Sequence, residues 1–77
     1  MLTSTEILDR YYLEARRDLL EIAALLDRYD VAVEREESFS GEEAKLSILR
    51  RALTLLSDPD SPRGERTTVL LELFAEI

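Results

Sequence analysis

Apolar residues recur along the N-terminal part of the chain in alternating steps of four and three: Leu8, Tyr12, Ala15, Leu19, Ile22, Leu26, Tyr29 and Val33. This spacing keeps one side chain per turn on the same helical face. Sustained over several heptads, it is the pattern of a helix that packs lengthwise against another helix. Neither Gly nor Pro interrupts the stretch. Thr3 and Glu6 stand at capping-box spacing just ahead of it, so helix 1 is predicted to start at about residue 4. Its stop falls between Asp30 and Glu36. Val31, Ala32 and Val33 keep the ladder's phase, whereas Glu36 and Glu37 would oppose the negative end of the helix dipole. The helix is therefore read as residues 4–33.

Ser38, Phe39, Ser40 and Gly41 give a turn signal, with Ser40 and Glu43 again at capping-box spacing and Phe39 placed as a hydrophobic staple toward Ala44. Helix 2 is predicted over 41–57. Its apolar set is Leu46, Leu49, Leu53 and Leu56, flanked by Ile48, Ala52 and Leu55, and Asp58 followed by Pro59 stops it. The segment from Asp58 to Gly64 holds both prolines and a glycine, the clearest loop in the chain. Ser61 before Pro62 has the arrangement of an N-cap with proline at N1. Helix 3 is accordingly predicted over 62–77, with its start moved to about Glu65 if Gly64 delays it, and it carries Val69, Leu70, Leu73, Phe74 and Ile77.

At 100° per residue, Tyr11 and Leu25 flank one side of the helix 1 ladder, Leu13 and Leu20 flank the other, and Ala23 and Ala24 fill in between. Near the middle only Asp18 and Glu21 interrupt this girdle. It is wider than one partner helix covers. The expected fold is all-α: a single helical domain over 1–77, with one long N-terminal helix and two shorter helices folded back on it. A chain of 77 residues buries only about 60% of its unfolded surface, and small domains often compensate with disulfides, a metal or oligomerisation. The sequence contains neither Cys nor His. Oligomerisation is the stabiliser left, and a two-fold homodimer forming a larger helical bundle is its simplest closed form.

The segment Leu13 to Asp30, LEARRDLLEIAALLDRYD, resembles a family of small, uncharacterised bacterial helical proteins. That resemblance implies a helical bacterial protein and brings no activity or site residue with it.

Composition narrows the function classes. Without Cys or His, thiolate catalysis, zinc fingers and every imidazole-based triad are excluded. A net charge of −7 argues against nucleic acid and anionic lipid as partners, since phosphate binding rests on clustered Lys and Arg. No apolar run approaches the length of a membrane span, and the first residues read as a helix start rather than a secretion signal, so a cytoplasmic location is expected.

Three constellations carry candidate chemistry. Glu14, Asp18 and Glu21 lie on successive turns along one border of the girdle, where carboxylates can face a metal or small molecule in an interhelical cavity. Histidine, which the di-iron bundles require, is missing, so a solvated face with Arg10 and Arg17 as partners is the expected reading. Asp18, between Tyr11 and Leu25, is expected to be partly buried against an arginine. Asp58, Asp60 and Ser61 begin like a calcium loop, but Pro62 and Val69 stand where oxygen ligands belong. The basic pairs Arg16–Arg17 and Arg50–Arg51 sit near carboxylates and read as salt-linked surface. No cofactor or catalytic residue is expected.

The expectation is a non-enzymatic interaction or self-association module whose interface is Leu8, Tyr12, Ala15, Leu19, Ile22, Leu26 and Tyr29. Two alternatives are a bundle that binds a metal or small molecule through Glu14, Asp18 and Glu21, and an acidic inhibitor of a basic protein. Arginines interspersed among the acids weaken the second, which needs a one-signed face.

Overall fold

The computed structural model describes residues 1–36 and 43–76. Among the described residues three α-helices follow one another: α1 (Ser4–Arg35), α2 (Ala44–Ser57) and α3 (Arg66–Phe74). The protein is all-α, and among the described residues no helix is long and apolar enough to cross a membrane. The chain divides into two compact units, Met1–Phe39 and Ser40–Ile77.

The first unit is built on α1, a helix of 32 residues and so about 48 Å long. Thr3, in extended backbone, caps it: its Oγ1 accepts from the Glu6 backbone N–H at 3.2 Å and donates to the Glu6 carboxylate at 3.1 Å. The sequence spacing predicted this pairing. At the other end Arg35 sits in the last turn, where its charge suits the dipole, and Glu36 lies outside the helix in extended backbone. The Glu36 N–H closes that turn on the Val33 carbonyl at 3.2 Å.

In the second unit α2 and α3 fold back on each other as a helical hairpin. The Ser40 capping box, the Phe39 staple and a helix start at Gly41 all involve residues outside the described ones. Among those described, α2 begins at Ala44, with the Glu43 side chain capping the Lys45 N–H at 3.2 Å. The core is small: Ile48 and Ala52 from α2 and Leu73 from α3 are buried, and Leu70 packs against them. The residues that pattern alone places at the centre of the α2 face, Leu46, Leu49 and Leu53, are half-buried, and Leu56 is exposed. Contact with α3 thus runs along the flank of the apolar stripe, where the small Ala52 lets a helix approach closely.

The third helix begins at Arg66, the later of the two starts the sequence offers, and the loop chemistry gives the reason. Asp58 ends α2, its Oδ1 accepts from the Asp60 N–H at 2.8 Å, and its carbonyl accepts from the Ser61 N–H at 3.1 Å. This is an Asx turn nested in a β-turn with Pro59 at its second position. Ser61 does not cap α3. Its side chain is buried and its Oγ accepts from Arg66 Nε at 2.9 Å. A second turn, closed by the Glu65 N–H on the Pro62 carbonyl at 3.2 Å, places Gly64 at φ +75°. Right-handed helix cannot pass through that conformation, so α3 waits until the next turn. It ends at Phe74, short of the predicted 77, and Ile77 lies outside the described residues.

Candidate functional site

The interface ladder lies on α1, which contains no buried residue. Its N-terminal half is open: Leu8 is 69% exposed, Tyr12 62% and Leu19 60%, and Ala15 is exposed as well. Its C-terminal half differs, since Ile22, Leu26, Tyr29 and Val33 are half-buried. Beside the open half, Ile7, Tyr11, Leu13 and Leu20 are also exposed. One face and both its flanks therefore present large apolar side chains over several consecutive turns. Scattered apolar residues are ordinary on a protein surface, whereas this run is contiguous over several turns.

Polar residues border that face. Glu14, Asp18 and Glu21 are all exposed. The partial burial expected of Asp18 is not found: its side chain is 60% accessible. Asp18 belongs to the open half of α1, where the residues around it are exposed. Its partner is the adjacent Arg17, whose Nε and Nη2 donate to Oδ1 at 3.2 and 3.1 Å. That bond and the carboxylate's charge raise the Arg17 pKa above its ordinary value, with smaller contributions from Glu21 and Glu14. A raised arginine pKa favours the folded state until the pH climbs through the arginine range, so Arg17 contributes no pH dependence near neutrality. Among the described residues no group of three or more acidic side chains is placed to hold a metal ion. Asp58, first in the calcium-like loop, spends its Oδ1 on the Asp60 backbone instead.

The second unit carries a groove of about 890 Å³ along α2 and the following loop, lined by residues that include Leu46, Arg50, Arg51, Thr54, Leu55 and Pro62. It is open to solvent and mixed in charge, with Glu43, Asp58 and Asp60 also on its walls. Arg51 is engaged: Nη1 and Nη2 donate to the two Glu76 carboxylate oxygens at 3.1 and 3.3 Å, a fork that ties α2 to the residues after α3. Salt-linked surface was the expected reading of Arg50 and Arg51. The identity of the partner was not legible, because it depends on how the hairpin aligns residues distant in sequence. Among the described residues no buried side-chain nitrogen or oxygen lacks a partner. The groove thus holds no buried, unpaired polar side chain among the described residues.

No protein-family model, curated protein or solved structure matches the chain.

Proposed function

We propose that this protein is a non-enzymatic interaction module, with the apolar ladder of α1 as the surface that receives another helix. The ladder residues are Leu8, Tyr12, Ala15, Leu19, Ile22, Leu26 and Tyr29. One observation carries the reading: a helix of 32 residues without a buried residue keeps Leu8, Tyr12 and Leu19 at 60% exposure or more. Leaving a large aliphatic or aromatic side chain in water rather than burying it forgoes about 1.5–3 kcal/mol. A partner helix laid along the ladder recovers that free energy over several residues at once. A homodimer closed by a two-fold axis is the simplest assembly that does so.

Variants of the ladder test this. Leu19→Asp sits on an exposed position, so it leaves the protomer's own core untouched while placing a charge in the interface; it is expected to disperse the assembly, as is Ile22→Asp. Asp18→Ala is expected to leave assembly intact. If the solution mass of both ladder variants equals that of the unmodified protein, the reading is overturned.

A further inference from the structure

We infer that the open half of α1 binds the same segment of a second copy in antiparallel orientation, with the two-fold axis crossing between Leu13 and Glu14. This rests on the interaction reading above and goes further by naming the partner, direction and register. In heptad terms Tyr12 and Leu19 occupy a positions and Leu8 and Ala15 occupy d. The flanking e positions are then Asp9 and Arg16, and the flanking g positions are Tyr11 and Asp18. All eight are exposed in the protomer.

Flanking charges set the orientation and register of paired helices. In an antiparallel pair e faces e and g faces g. With the axis between Leu13 and Glu14, Asp9 meets Arg16 of the second copy, and symmetry repeats the contact. On the other flank the Tyr11 hydroxyl meets the carboxylate of the second copy's Asp18, whose Oδ2 is not used by Arg17. The core layers match in size: Leu8 lies against Leu19 of the second copy, and the bulky Tyr12 fills the space beside the small Ala15.

Alternative pairings fare worse. A parallel pair sets Tyr11 against Arg16, Asp18 against Ala23 and Leu25 against Asp30, with no opposite charges in contact. Moving the antiparallel register one heptad toward the C-terminus sets Arg16 against Arg16 and Asp18 against Asp18. Moving it one heptad the other way sets Asp9 against Asp9, and a shift of two heptads toward the C-terminus opposes Asp9 and Asp30. A still longer shift does join Arg16 to Asp30, but it draws its layers from Ile22, Leu26, Tyr29 and Val33, already half-buried within one copy. Only one register both balances the charges and uses the open residues. From Thr5 to Ile22 the contact is about 27 Å long, at the low end of specific interfaces near 1,000 Å² in total, so the dimer is expected to dissociate on dilution.

Charge exchange tests the register. D9R sets two arginines against each other at both e contacts, and R16D sets two aspartates. Each variant alone is expected to fall to the mass of one chain, with unchanged helicity by circular dichroism. An equimolar mixture is expected to return to the mass of two, because every e contact is then between opposite charges. If either variant keeps the mass of two on its own, or the mixture stays monomeric, the register is overturned. Should that happen while Leu19→Asp still disperses the unmodified protein's assembly, the interaction reading stands without it. If Leu19→Asp and Ile22→Asp also leave the mass unchanged, both fall.

Discussion

Thr3 uses one hydroxyl twice, accepting from the Glu6 N–H and donating to the Glu6 carboxylate. The usual capping box is reciprocal through two backbone N–H groups, whereas here the carboxylate holds the cap side chain itself. Thr3→Ala is expected to cost about 0.5–2 kcal/mol of helix stability, with Thr3→Ser retaining most of it; thermal melts followed at the helical circular-dichroism band measure both. Gly64 is a second residue whose identity is set by conformation. Its φ of +75° lies in the left-handed region, and a Cβ there would meet open space. Steric contact with neighbours is therefore not the obstacle, and Gly64→Ala is expected to destabilise by about 1–2 kcal/mol through backbone conformation alone, with Gly64→Asn milder. Denaturant titration separates the two. The exposed Arg17–Asp18 and Arg51–Glu76 pairs contribute little to stability by comparison, although the Arg51 fork fixes which residues the hairpin brings together.

The elements differ in how much of them the chain announces. Helix α1 was legible almost to its ends, because its determinants are local: a cap three residues from its acid, an uninterrupted apolar period and no Gly or Pro. Helix α3 is legible in its apolar set, while its start is legible only as a choice between Pro62 and a position near Glu65 delayed by Gly64. Ser61 and Pro62 have the spacing of an N-cap and N1, yet the buried Ser61 Oγ is taken by Arg66 and Gly64 turns the chain the wrong way for a helix. That competition is decided in three dimensions. The core of the hairpin shows the same limit. Ile48 and Ala52 were seen as flanking residues, and only the placement of Leu73 makes them the centre. Leu73→Ala removes the sole buried α3 side chain. Large-to-small core changes cost about 2–5 kcal/mol, and the lower end is expected where the surroundings are half-exposed and can collapse. Loss of the Arg51–Glu76 fork should accompany it, visible as a changed environment at both residues by NMR.

At the scale of the whole molecule, the distribution of apolar surface decides the reading. Three side chains, Ile48, Ala52 and Leu73, form the buried apolar core among the described residues, while Leu8, Leu13, Leu19 and Leu20 are each more than half exposed. A protein with a net charge of −7 can carry such a surface in water because like-charged molecules repel at long range. In the proposed dimer the local attraction between Asp9 and Arg16 of the second copy would offset that repulsion. The width of this face was readable from periodicity. Which half of it stays open was not, because the ladder has the same spacing throughout and exposure depends on what lies against each turn. Light scattering across a dilution series, on the unmodified protein and on Leu19→Asp in parallel, tests the function of that face most directly. The unmodified protein is expected to pass from the mass of two chains to that of one as it is diluted, and Leu19→Asp to remain at one throughout with its helicity preserved. A single-chain mass for the unmodified protein at every concentration, or a two-chain mass that Leu19→Asp leaves unchanged, would contradict it.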